Sequence, residues 1–239
     1  MKKILFSLIV MLAVSGAYSQ KTISDPNAQV RDAKGFQAIK LSSAFDVYIS
    51  QGSTEGLAVS ASDPDYLKYI KTEVSGGTLR IWVDVGGTRN WNTGKMKLKA
   101  YISFKDLNKL DISGACDVFL EGTIKLQDLK LVLSGASDLK GKLDIQKLDV
   151  DMSGASDITI SGTAAQMTIE SSGASNFKGF DLITEFCNAR ASGASDIKIT
   201  VNKELSVQAS GASDIDYKGN GVIRDLKTSG ASSVSKAKS

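Results

Sequence analysis

The residue types in this chain that could do chemistry are carboxylates held at one place in a recurring phrase. Asp117, Asp138, Asp157, Asp196 and Asp214 each close a copy of Ser-Gly-Ala-Ser-Asp or its variant Ser-Gly-Ala-Cys-Asp, and Asn176 takes that place in a further copy. If the copies stack, these side chains form a ladder. Two carboxylates about 5 Å apart repel by roughly 3 kcal/mol at an effective dielectric near 20. Backbone hydrogen bonds, raised pKa values or a divalent cation would relieve that, so calcium is the metal to consider. Calcium-binding β-rolls use glycine and aspartate at a period of about nine residues, which this spacing does not match. Corner chemistry accounts for the phrase without a metal. Glycine reaches backbone angles that other residues resist, alanine is small enough to point into a crowded corner, and serine and aspartate bond nearby backbone N–H groups. The corner reading is the stronger of the two.

A second candidate lies in the loop GGTRNWNTGK at 86–95. Trp91, flanked by Asn90 and Asn92, suits stacking on a sugar ring while the amides bond its hydroxyls; the competing reading is an indole that covers the end of the core. Elsewhere the chemistry thins out. The chain has no histidine, which removes Ser-His-Asp and Cys-His catalysis and the commonest transition-metal ligand. Two distant cysteines cannot build a zinc site, and no glycine-rich phosphate loop is present. No catalytic residue and no cofactor is assigned.

The elements that must position these residues follow from the period. Seven copies of the phrase begin at 113, 134, 153, 172, 192, 210 and 229, spaced by 21, 19, 19, 20, 18 and 19 residues. A near-constant period means one unit stacked on itself. Before the phrase, apolar residues alternate with polar ones, as in Leu129, Leu131, Leu133 and Leu148, Val150, Met152; after it come Val118, Leu120 and Ile158, Ile160. That period of two marks strands with one buried face. Gly122, Gly141, Gly162, Gly179 and Gly219 are expected to close the second strand, so each unit reads strand, corner, strand, turn. The prediction is an all-β parallel β-helix, or solenoid, wound right-handed with coils of about 19 residues. Seven coils at roughly 4.8 Å each give a rod about 30 Å long.

The same alignment places the cysteines. Cys187 falls on an inward position, whereas Cys116 replaces the second serine of the phrase and is expected near the surface. They are separated by about 18 Å along the axis, against the roughly 7 Å that a disulfide tolerates. Two free thiols are expected.

Met1-Lys2-Lys3, an apolar run over 4–14 and Ala17-Tyr18-Ser19 read as a signal peptide over 1–19. The apolar run is shorter than the about 20 residues a membrane span needs, so no transmembrane segment is predicted and the protein is expected to be exported. Removing Lys2 and Lys3 lowers the net charge from +3 to +1, with 27 basic against 26 acidic residues. That balance gives no footprint for nucleic acid. Residues 20–34 are expected to form a flexible leader, 35–235 a single domain with its N-terminal part at 35–104 and the repeats at 105–233, and 236–239 a tail. Within the N-terminal part, Ser42-Ser43-Ala44-Phe45-Asp46 is a degenerate phrase. The segment 63–70 reads as one short helix with aspartate and proline at its start, and Gly76-Gly77 as a turn. This β-rich part is expected to cap one end of the stack.

FDVYISQG at 45–52, DPDYLKYIKTEVSGGTLRI at 63–81, AYISFKDLNKLDISGACDV at 100–118 and the following repeats together resemble the head GIN domain family, over roughly 35–233. That resemblance implies a β-helix-like repeat fold, export and an adhesive role, and it carries over no catalytic residues. Three functions stay open. A surface or periplasmic binding module that meets a glycan or an envelope or surface protein is the best bet. A structural or self-associating envelope protein is next, with the oligomeric state open. A polysaccharide-active β-helix enzyme comes last, because the coils leave few residues for the loops that build such sites.

Overall fold

The structure, a computed structural model, describes residues 24–87 and 96–238. Residues 1–19, read above as a signal peptide, and the candidate contacts Asn90, Trp91 and Asn92 lie outside the described residues. The strands are β1 (Gln29–Arg31), β2 (Ala38–Leu41), β3 (Asp46–Gln51), β4 (Gly56–Ala61), β5 (Ile70–Ser75), β6 (Thr78–Val83), β7 (Leu98–Phe104) and β8 (Lys109–Ile112). They continue as β9 (Asp117–Leu133), β10 (Asp138–Met152), β11 (Asp157–Ser171), β12 (Asn176–Ala191), β13 (Asp196–Ala209), β14 (Asp214–Lys218), β15 (Val222–Thr228) and β16 (Ser233–Lys236). All sixteen join one hydrogen-bonded network, a β-solenoid of about 7 turns.

Parallel register stacks like on like. Leu131, Val150, Ile169, Ala189 and Val207 form one inward column across β9 to β13, and all are buried. Each large aliphatic buried this way contributes about 1.5–3 kcal/mol, so the columns hold the coils together. Within one coil the buried residues fall into three groups: Cys116, Val118 and Leu120; Ile124 and Leu126; Leu129, Leu131 and Leu133. Alternation holds inside each group and slips between groups, and each slip is a corner. The coil therefore has three sides. Gly122, Gly141, Gly162 and Gly179 do not end a strand as expected; β9 to β12 run through them. The chain turns there on irregularities in register, between Lys140 and Lys142, Thr159 and Gly162, and Gly179 and Ile183.

The phrase makes the sharp corner. Its glycine sits at positive φ, +74° at Gly193 and +76° at Gly211. A Cβ on Gly193 would lie 2.7 Å from the carbonyl oxygen of Gly173 in the coil below. That same carbonyl accepts from Ala194 N at 2.8 Å, so the parallel ladder passes straight through the corner and leaves no room for a side chain.

Three expectations at the corner are corrected. The alanine points outward: Ala136, Ala155, Ala174, Ala194 and Ala212 are exposed, while Ser137, Ser156, Ser175, Ser195 and Ser213 are fully buried. Those serines donate to the carbonyl three residues back, Ser195 Oγ to Ser192 O at 2.9 Å and Ser213 Oγ to Ser210 O at 2.8 Å, and Ser137 Oγ in addition accepts from Cys116 N at 3.5 Å. A buried hydroxyl needs such a partner. Cys116 shares the serine position and is therefore buried, not near the surface. Both cysteines are free.

The N-terminal part starts the stack and closes it. β2 pairs in parallel with β6 and β8, and β3 with β7 and β9, so the degenerate phrase at 42–46 is the first corner. Ser43 stands there at φ +86° where later copies have glycine. The layer beneath ends at Val83, whose N–H donates to Ser43 Oγ at 3.2 Å. Antiparallel β5 then covers β6, β4 covers β7, and β1 covers β4. The leader is thus not loose throughout: β1 lies within it, and Ala33 is buried. The short helix is 3-10, Pro64–Tyr69, with Asp63 Oδ1 accepting from Asp65 N at 3.0 Å. Gly76 and Gly77 turn β5 into β6 at positive φ.

Candidate functional site

The aspartate ladder forms as the period predicts. Asp46, Asp117, Asp138, Asp157, Asn176, Asp196, Asp214 and Ser233 stand one above another in register. Its repulsion is relieved by neighbours. Asp157 Oδ1 accepts from Asn176 Nδ2 at 2.7 Å and Oδ2 from Lys178 Nζ at 2.8 Å. Partial burial pushes the Asp157 carboxyl up, but these two hydrogen bonds outweigh it and hold the group below its usual range. Asp214 accepts from Ser233 Oγ at 2.6 Å. Among the described residues no three cysteine, aspartate or glutamate side chains come together as a metal cluster.

A feature the sequence reading missed lies beside the phrase on the third side. The residue before the phrase points inward, so its backbone floors a trough between two outward rows. One row is Asp151, Glu170, Arg190, Gln208 and Lys227, stacked in register; the other is the leading serines Ser153, Ser172, Ser192, Ser210 and Ser229. Together they line an open groove of about 630 Å³ that follows the solenoid axis. Five coils at roughly 4.8 Å make it about 20 Å long.

The groove has a defined polarity. Ser153 and Ser172 donate to the coil below, to Leu133 O at 3.4 Å and Met152 O at 3.1 Å, so their remaining lone pairs are acceptors. The charged row runs from acidic to basic along the axis. Lys130 Nζ pairs with Asp151 Oδ2 and Arg190 Nη1 with Glu170 Oε1, each at 2.6 Å. Such exposed pairs add little stability; here they set the orientation of the wall. The signal for this groove is in the sequence, since the residues two before each phrase are Asp, Glu, Arg, Gln and Lys.

Aromatic groups offer less than they first suggest. Tyr101, Tyr48 and Phe119 stack in register with centroids 5.3 and 5.4 Å apart and planes within 14° and 21°. Rings that face one another present only their edges to solvent, so this ladder is a staple rather than a sugar platform. Tyr101 Oη donates to Asp25 Oδ2 at 2.8 Å and ties the leader down. Trp82 is half-buried with the Arg80 guanidinium 5.5 Å from its ring. Phe186 is exposed beside Lys203. The thiols are poor nucleophiles: burial pushes Cys116 up to about 11 and Cys187 up to about 12, and the nucleophile is the thiolate.

A three-sided β-solenoid with a polar axial groove and regular outer rows is a repeat architecture that presents equivalent side chains coil after coil. The chain belongs to the family described as "Putative auto-transporter adhesin, head GIN domain", which it matches over residues 35–221. It is similar in fold to a crystal structure of a "putative adhesin" from Bacteroides fragilis, with 24% identity and a TM-score of 0.80, covering 88% of this chain and 96% of that one. A "putative adhesin" from Parabacteroides merdae is similar at 17% identity and TM-score 0.68, covering 89% and 96%. A "putative lipid binding protein" from Parabacteroides distasonis is similar at 22% identity and TM-score 0.65, covering 89% and 97%. No curated protein matches the chain. Among the described residues no helix is long and apolar enough to cross a membrane.

Proposed function

We propose that this chain is an exported, non-catalytic binding module of the bacterial surface or periplasm that holds a glycan along the axial groove. The observation that carries this reading is the groove itself: one charged or amide side chain and one serine recur in each coil, at the spacing of the strands. A linear polymer of polar units meets an equivalent contact in each coil. A lone globular ligand would use only a fraction of them. The family description supports an adhesive role, as do the names of two of the three structural relatives.

Asn90, Trp91 and Asn92 remain candidate sugar contacts on the loop at 86–95, and the aspartate ladder remains a candidate calcium site. The test is glycan-array binding by the chain from Gln20 onward, with calcium and then with chelator. Selective binding that falls in Arg190→Glu supports the groove. Loss in chelator adds a role for the ladder, and loss in Trp91→Ala adds the loop. Absence of binding in both buffers removes the panel's glycans as ligands.

A further inference from the structure

The two ends of the solenoid are built differently. The N-terminal end is covered by antiparallel β5, β4 and β1. At the C-terminal end, β15 pairs with β13 and β16 with β14, and among the described residues neither has a second partner strand. One of the last inward residues stays in solvent: Leu226 is 51% exposed, although Val207 directly beneath it is fully buried, whereas Ile223 and Val234 are half-buried against the core. Val222 at the start of the same strand, in register with the outward Glu204, is an exposed apolar side chain on the outer face, 57% exposed. Edge strands are normally blunted by inward charge, proline or a bulge. β15 has its irregularity beside Arg224, which leaves Asp225 to Thr228 as a regular, pairing-competent stretch.

That stretch is self-complementary. In a two-fold antiparallel pair, the residue on the axis faces itself and its two neighbours face each other's counterparts. With Leu226 on the axis, Asp225 stands opposite the partner's Lys227, and the symmetry makes this pairing twice. Asp225 and Lys227 share the outer face, where Lys227 Nζ and Asp225 Oδ2 are already 3.0 Å apart within one chain. Opposite charges directly across a strand pair stabilise it, and like charges destabilise it. Moving the axis to Asp225 would face two carboxylates, and moving it to Lys227 would face two ammonium groups. Only the centre at Leu226 joins apolar to apolar and acid to base.

We propose that the C-terminal end is a homodimer interface, in which β15 of two copies pairs antiparallel about Leu226 and joins the solenoids end to end. This assignment does not depend on what the groove binds. The test is sedimentation of the chain from Gln20 onward across a hundredfold concentration range, beside charge-reversal variants. Dimers are expected for the natural sequence. Asp225→Lys and Lys227→Asp, each alone, place like charges opposite and shift the equilibrium to monomer; the double reversal D225K/K227D restores the dimer. Both positions of that cycle are solvent-facing, and circular dichroism checks that each variant is folded. Leu226→Cys is expected to cross-link as a covalent dimer under oxidation, while Lys178→Cys on the outer wall does not. A natural chain that stays monomeric throughout overturns the proposal, as do dimers unaffected by single reversal or a Leu226→Cys variant that fails to cross-link.

Discussion

Asn176 separates Asp157 from Asp196 in the axial column, and its amide donates to Asp157 Oδ1 at 2.7 Å. A column of stacked carboxylates is interrupted by the one side chain of the same shape that carries no charge. Asn176→Asp removes that donor and extends an unbroken run of acids. The variant should be about 1 kcal/mol less stable at pH 7, the repulsion being screened at this partly exposed site. Asp157 has a folded pKa held below its unfolded value. Its contribution is therefore present above pH about 4 and is lost as pH falls through the folded value. The deficit of the variant should shrink over the same acid range. Chemical denaturation at pH 7 and pH 3 checks this, and a deficit that grows toward acid contradicts it.

The corner glycines permit a sharper mutational test. Gly193→Ala must place a Cβ 2.7 Å from the Gly173 carbonyl oxygen at φ +74°. The backbone angle alone costs about 1–2 kcal/mol, and the clash should bring the loss to about 3 kcal/mol or more. Gly77→Ala shares the positive φ but meets nothing within 4 Å, so it should show the angular cost alone. Equal losses in the two variants would mean that the ladder through the corner is not what demands glycine.

Burial of the corner position predicts thiol behaviour. Cys116 and Cys187 should both resist a thiol reagent in the folded protein and react fully once it is unfolded. Cys116→Ser should be neutral or slightly stabilising, because serine fills the same place in the neighbouring coils and donates to the carbonyl three residues back. Ser195→Ala should cost about 1 kcal/mol by deleting one buried hydrogen bond. Rapid labelling of Cys116 in the native state would place it at the surface after all.

The leader is anchored through Tyr101 and Asp25. Burial and the Asp25 carboxylate push the Tyr101 phenol well above its ordinary value. Burial pushes Asp25 up, but hydrogen bonds, the one from Tyr101 first among them, bring it below its own. A raised tyrosine contributes below its unfolded pKa near 10 and loses that as pH rises through the folded value. A lowered aspartate contributes above about pH 4 and loses that as pH falls. Tyr101→Phe should therefore cost about 1 kcal/mol at pH 7 and less at pH 3. A constant difference across that range would show that the contact is packing alone.

Much of this architecture is legible in the residues. The 18–21-residue spacing of the phrase gives the coil, and alternation around Leu129, Leu131 and Leu133 gives the inward face. What escaped is direction within the corner. Alanine and serine are both small, and only the two-residue step from Val118 back to Cys116 shows that the second serine position continues the buried side. The groove escaped because it belongs to no single segment. Asp151, Glu170, Arg190, Gln208 and Lys227 differ in chemistry and are united only by register. The short antiparallel strands β1 and β4 carry too few residues for a period to show.

The measurement that tests the central reading most directly is glycan binding by the chain from Gln20 onward beside Ser172→Trp, whose indole fills the middle of the groove without touching the core. Selective binding by the natural chain and its loss in the variant, with thermal stability unchanged, is the predicted result. Binding that survives a blocked groove would place the ligand elsewhere and contradict this account.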